Sequence, residues 1–321
     1  MASFSSEDSN NIFERKKVLA IVGPTGVGKT EKAVLLAKEF NGEIVSCDSV
    51  QLYRELNIGS AKPSFEDRNH VTHHLIDVFE PGFQIDVGIY KAKAEEAILD
   101  IYKRNKLPVI TGGTGLYFNS LYFGLYEAPS RDDSLRTELE KRAENEGLYS
   151  LYVELNRIDP VSAKKIMPGD KRRIVRALEV SLKSGIQGLK PERQNKKLNL
   201  NWFIIGLACE RNKLYERIEK RIDKMIEGGL IEETKSIMEK YGRNAYALGS
   251  IGYRHAINFI NGTWSKDELV YNLKLDTRHY AKRQLTWFKK IKEVHWFDPE
   301  DFLNIRSAVR YFLEDKSVKI S

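Results

Sequence analysis

Cysteine is nearly absent: the 321-residue chain holds two, Cys47 and Cys209. They lie far apart and in no metal-ligand spacing, which argues against a disulfide scaffold or a structural zinc and fits a reducing compartment. No stretch approaches the roughly 18 apolar residues of a membrane span, so no membrane partner is expected. The opening segment MASFSSEDSNNIFERKK is polar and lacks an apolar centre. It reads as a ragged tail of about a dozen residues rather than a secretory leader, and a cytoplasmic location is expected. Internal repeats and low-complexity tracts are missing too, which sets aside solenoids and fibrous assemblies. Acidic residues are in deficit, with 45 Asp and Glu against 52 Lys and Arg, a formal net charge of +7 and a pI near 9.1. Such an excess attracts polyanions if it is clustered, and means little if it is dispersed.

What is present reads as alternating strands and helices. Hydrophobic residues make up 41%, enough for one large core and a second small one. Residues 18–22 (VLAIV) form a buried strand, a glycine loop follows, and Thr30 to Phe40 reads as a helix closed by Asn41-Gly42. EIVSCDS (43–49) and HHLIDVF (73–79) read as strands, Tyr90 to Asn105 as an amphipathic helix, and LPVITGG (107–113) as a further apolar strand. This order predicts an α/β fold with a parallel sheet whose ligands gather at the carboxyl ends of the strands. Between about 126 and 197 only helical segments appear: LRTELEKRAENEG, PVSAKKIM and KRRIVRALEVSLKSG, then a polar linker GLKPERQNKKLN. WFIIGLAC (202–209) returns as a strand, and the rest is mainly helical with a short strand at VHWF (294–297). The expected organisation is a P-loop NTPase-like core of residues 1–125 and 198–321 carrying a mobile helical insertion domain of residues 126–197.

GPTGVGKT is the strongest local signal. With a strand before it and a helix after it, Gly23, Pro24, Thr25, Gly26, Val27, Gly28, Lys29 and Thr30 form a phosphate cradle. Its amides and helix N-terminus hold phosphate oxygens, Lys29 adds a charge, and Thr30 can ligate Mg²⁺. Taken alone this is an ATP site. Hydrolytic P-loop enzymes, however, have an apolar strand ending in a metal-holding Asp, whereas LPVITGG ends in Thr111-Gly112-Gly113. Asp48 in VSCDSVQLY falls instead at a strand end where it can face the loop. Locally it is either a turn former or N-cap, or a base that orients an incoming nucleophile. GGTGLY (112–117) sets Thr114 at another strand end. His73, His74 and Asp77 resemble a metal set only on paper, because neighbours in a strand point to opposite faces.

The basic residues cluster. Lys171, Arg172, Arg173 and Arg176 fall within one and a half helical turns, and Arg278, Lys282 and Lys289 share a stripe opposite Tyr280, Trp287, Phe288 and Ile291. A single charged stripe is usually a solvated surface. Two of them on a basic chain point to a folded RNA read by shape and phosphate.

Together GPTGVGKT, SCDSVQLYRELNIGSAKP, HHLIDV, TGGTGLY, DKRRIVRALEV and TRHYAKRQLTWFKK, in this order over roughly residues 18–292, resemble the tRNA dimethylallyltransferases, or tRNA isopentenyltransferases. The resemblance implies transfer of a dimethylallyl group from dimethylallyl diphosphate to N6 of adenosine 37, beside the anticodon, in tRNAs reading codons that begin with U. It assigns the diphosphate and one Mg²⁺ to the loop, the general base to Asp48, and tRNA contacts to Asp48, Ser49, Val50, Gln51, Thr114 and Arg136. Arg172, Arg173, Ile174, Val175 and Arg176 match a further tRNA element, with Arg172 where glutamine is usual. Arg217 resembles an arginine near the donor diphosphate, and Thr25 and Lys29 join Asp48 and Arg217 as catalytic candidates. The expected partners are the anticodon stem-loop and the prenyl donor, with the protein a monomer. Three alternatives stand: a small-molecule or nucleoside kinase, an enzyme prenylating free AMP or ADP, and a non-catalytic RNA-binding protein. The first leaves the basic helices unexplained, the second gives the arginines nothing to hold, and the third leaves Lys29, Thr30 and Asp48 intact without purpose.

Overall fold

The computed structural model describes residues 16–125, 129, 131–184 and 198–316. The expected N-terminal tail and nearly all of the expected linker at 188–199 lie outside that range. The chain divides into two compact units, one of Met1–Tyr122 with Leu198–Ser321, the other Phe123–Lys197.

The first unit is built on a six-stranded parallel sheet: β1 (Lys17–Val22), β2 (Gly42–Ser46), β3 (His73–His74), β4 (Leu107–Gly112), β5 (Asn201–Leu207) and β6 (Val294–Phe297). The spatial order is β3-β2-β4-β1-β5-β6. β1 after Lys17, β4 and the inner part of β5 are buried throughout, which is why they read as continuous apolar runs rather than alternating ones. Ile21 sits opposite Thr111 on one side and Ile205 on the other, and Thr111 opposite Ser46. The carboxyl ends of β2, β4 and β1 are therefore neighbours, and three loops leave the sheet side by side.

Two expectations shift here. HHLIDVF is a strand only at His73–His74, because Leu75 and Asp77 adopt positive φ of 62° and 58°. Asp77 is drawn off the sheet by Lys62 at 2.5 Å and Arg68 at 2.8 Å, and Phe79 keeps only an isolated bridge to Tyr53. The helix expected from Tyr90 begins at Val87, where the Asp86 side chain accepts the Ile89 N–H at 2.9 Å as an N-cap.

The second unit is helical: Asp133–Asn145, Leu148–Ile158, Pro160–Ala163 and Lys171–Ser184. Leu148–Ile158 is a helix that the sequence pattern did not bring out. Leu151 and Leu155 from it pack with Leu139, Ala163, Ile174, Val175 and Leu178 in a core of its own. Buried Glu179 ties the unit together, accepting from Arg136 Nε at 2.8 Å, Arg176 Nη1 at 2.7 Å and the Asp132 amide at 2.7 Å. Removing two cations from such a carboxylate would strand a buried charge.

Candidate active site

The loop after β1 turns under Leu207 so tightly that only glycine fits at its start. Gly23 has φ 144°, and a Cβ there would lie 2.5 Å from the Leu207 carbonyl oxygen. The Thr25 N–H donates to Gln284 Oε1 at 2.8 Å, and Thr25 Oγ1 accepts from Arg221 Nη1 at 3.1 Å. Lys29 Nζ donates to the Pro24 carbonyl at 2.8 Å. Desolvation and the neighbouring Arg221 guanidinium pull the Lys29 ammonium down to about 7, with Asp48 opposing them. A polyanion bound beside such a cationic cluster would relieve the repulsion within it.

Asp48 follows β2 at the adjoining strand end. Its Oδ1 accepts the amides of Val50 at 2.8 Å and Gln51 at 3.3 Å, so the local turn reading is correct. The same residue also lines the cleft. The turn after β4 is sewn to this segment: the Thr114 amide donates to the Cys47 carbonyl at 3.1 Å, and Thr114 Oγ1 accepts the Ser49 amide at 3.1 Å. Gln51 accepts from Ser46 Oγ at 3.1 Å and donates to the Ala61 carbonyl at 3.3 Å. Cys47 is buried and its thiol is pushed up to about 12 by desolvation, which makes it inert.

Two cavities meet at Asp48, Thr25, Arg221, Tyr280 and Ser60. The inner one, about 70 Å³, is walled by Lys29, Thr30, Ser46, Gln51 and Thr111. The outer one, about 300 Å³, is walled by Val50, Ile218, Ile222, Met225, Ile251 and Leu273, with Arg254 and Arg283 among its polar groups. A polar compartment thus opens into a largely apolar one with a carboxylate at the junction. Oxygen donors dominate the inner wall, which fits a hard cation such as Mg²⁺. No set of three His, Cys, Asp or Glu among the described residues could hold a metal, so most of its ligands would come from a bound phosphate and water.

Arg221 and Gln284 were not singled out from the sequence, and Tyr280 was read only as part of an aromatic stripe, not as a wall of the cleft. Arg221 lies one turn after Arg217 on the helix Arg211–Glu227, and the spacing of four in RIEKR was the available signal. Arg217 itself supports the outside of the loop: Nη1 donates to the Val27 carbonyl at 3.3 Å, Nη2 pairs with Glu300 at 2.9 Å, and it faces a separate opening beside Gly26, Val27, Gly28 and Lys32. Gln284 is a buried amide amid the apolar spacing of the helix Lys266–Phe288.

The basic residues divide. Arg136 and Arg176 are engaged with Glu179, whereas Arg172 and Arg173 are exposed, Arg173 pairing among the described residues with Asp170 alone, at 3.4 Å. Ile174 and Val175, placed by the resemblance in a tRNA element, are 0% and 3% exposed in the core of the second unit, so their side chains cannot present to RNA. Arg278 pairs with Glu219 at 3.3 Å and lies over Tyr215; Lys282 and Lys289 are exposed. The single aromatic stripe does not hold: Tyr280 lines the cleft, Trp287 is 37% exposed, and Phe288 and Ile291 are buried. His74 pairs with Glu43 at 2.7 Å, and His73 Nδ1 bonds the Val71 carbonyl.

The family model described as IPP transferase matches residues 51–291. A protein of Alkaliphilus metalliredigens named tRNA dimethylallyltransferase is 43% identical over 291 residues, covering 89% of this chain and 93% of that one. A tRNA isopentenylpyrophosphate transferase from Bacillus halodurans has a solved structure 38% identical to the chain, with a TM-score of 0.69 over 94% of this chain and 98% of that chain. A eukaryotic dimethylallyltransferase acting on tRNA is 26% identical with a TM-score of 0.82, over 95% and 81%. Sheet order, phosphate loop and these likenesses agree, and the chain belongs to the IPP transferase family.

Proposed function

We propose that the protein, a cytoplasmic monomer, transfers a dimethylallyl group from dimethylallyl diphosphate to N6 of adenosine 37 in tRNAs reading codons that begin with U. The carrying observation is Asp48 at the junction of a phosphate-type compartment and an apolar one, with Arg221 and Lys29 beside it. The allylic C–O bond breaks, the N6–C bond forms, one N6 proton is lost and diphosphate departs. Negative charge grows on the leaving group, where loop amides, Lys29 and Arg221 are already aimed. The exocyclic amine is a weak nucleophile, and Asp48 aligns it and accepts its proton. Mg²⁺, which Thr30 would hold, supplies neutralising charge to the diphosphate. The apolar wall of Ile218, Ile222 and Leu273 suits the prenyl tail, and excludes water that would otherwise capture it. A base drawn from an anticodon loop leaves its stack to reach such a cleft.

Mass analysis of nucleosides from tRNA incubated with the protein and dimethylallyl diphosphate tests this. The expected product is N6-dimethylallyl adenosine. Retention of Mg-ATP with no retention of the prenyl donor would overturn the reading in favour of a kinase.

A further inference from the structure

Gln284 is 6% exposed in the last turns of a 23-residue helix, yet its amide serves two loops rather than the helix. Oε1 accepts the Thr25 N–H at 2.8 Å and Nε2 donates to the Gly113 carbonyl at 2.9 Å. Thr25 belongs to the phosphate loop and holds Arg221 through its hydroxyl. Gly113 precedes Thr114, which fastens Ser49 next to Asp48. A Cβ on Gly113 would lie 2.0 Å from Gln284 Nε2, so that glycine makes room for the amide. Buried amides are matched in this way only when both ends find partners.

We propose that Gln284 is a positioning residue: it fixes the distance between the loop that holds the leaving group and the turn that seats the base, and so acts on turnover rather than on binding. This rests on the prenyl-transfer reading above. Its removal frees the Thr25 amide but leaves Lys29, the other amides of the loop and the exposed cations in place, so ground-state affinity changes little. The alignment of amine, carbon and diphosphate does not hold, and a displacement of about 1 Å costs about 100-fold. The residue must accept on one side and donate on the other. Glutamine does both; an ionised carboxylate only accepts and faces the Gly113 oxygen with its own; a protonated carboxyl restores the donor.

Steady-state kinetics with dimethylallyl diphosphate and an anticodon stem-loop RNA on Gln284→Leu and Gln284→Glu test this in the full chain. The expected result for Gln284→Leu is a fall in kcat of about 100-fold with both KM values within about threefold. For Gln284→Glu, the variant-to-wild-type ratio of kcat should climb as pH falls from about 8 to about 6, because burial lifts the introduced carboxyl and protonation returns the hydrogen bond to Gly113. A merely structural loosening gives no such climb. Near-wild-type turnover by Gln284→Leu, a loss carried by KM, or a ratio flat with pH overturns the proposal. If Gln284→Leu melts below the assay temperature, the pH ratio of Gln284→Glu decides. Wild-type turnover in the same assay tests the reaction itself, so the two readings fail separately.

Discussion

Asp48 accepts the two amides that open the 50–51 turn on a single oxygen, Oδ1. An asparagine can accept the same bonds, which separates the turn from the chemistry. Asp48→Asn should melt close to wild type yet lose about 100- to 10,000-fold in turnover, the range of a general base. Asp48→Ala should lose the turn as well, about 1 kcal/mol of stability. An active Asp48→Asn would remove the base assignment. Glu43 is a second test at this scale, away from the cleft. It is 2% exposed at the start of β2; burial alone would raise its carboxyl, but hydrogen bonds from Arg104, Lys106 and His74 hold it down at about 2. A carboxylate depressed in the folded state contributes stability above its unfolded value and loses it as pH falls through the folded one. The difference from the ordinary carboxylate value corresponds to stability on the order of 3 kcal/mol. Glu43→Gln should therefore unfold at lower denaturant than wild type at pH 7, the gap closing between about pH 4.5 and about pH 2. A gap that persists at the acid end would mean that the charge of Glu43 is not what stabilises β2.

Within single elements, the helix Arg211–Glu227 places Arg217 and Arg221 one turn apart, and only Arg221 reaches the cleft. Arg221→Ala should lower kcat by about 100- to 1,000-fold, as loss of a preorganised cation on the leaving group does. Arg217→Ala should cost less than about tenfold, because it supports the loop from outside. Equal losses would show that the pair works as a unit. This element also marks how far the sequence could be read. Its amphipathic spacing and its arginines were visible, but which turn faces Thr25 depends on where the helix crosses the loop, a tertiary fact. β1, β4 and β5 were plain because burial on both faces writes a continuous apolar run. HHLIDVF carried a similar pattern and failed, since Lys62 and Arg68 claim Asp77 from outside the segment. The helix Lys266–Phe288 defeated a two-stripe reading because its turns meet different neighbours: Glu219 and Tyr215 at Arg278, the cleft at Tyr280, the two loops at Gln284 and the core at Phe288. Asp48, in contrast, stood out because a strand-end position is fixed by local order alone.

At the scale of the whole molecule, the excess of cations has to be sorted by what each one already holds. Arg136 and Arg176 neutralise a fully buried Glu179, and Arg278 faces Glu219. Arg172, Lys282 and Lys289 are exposed and form no ion pair among the described residues, and Arg173 has only a weak exposed one. Only the second group can release counterions from RNA without first breaking an internal pair. Replacing Arg172 and Arg173 with alanine, or Lys282 and Lys289, should flatten the plot of log affinity against log salt by about 0.7–0.9 for each phosphate no longer neutralised, with melting temperature unchanged. Arg136→Ala should do the reverse. It leaves the slope near wild type and costs about 1–3 kcal/mol of stability, because Glu179 stays buried with one cation fewer. Binding titrations of an anticodon stem-loop at several salt concentrations, paired with thermal melts, distinguish the two groups. A flattened slope and an intact melt for Arg136→Ala would mean that Glu179 gives up its arginine to the RNA, and that the internal pairs are part of the binding surface after all.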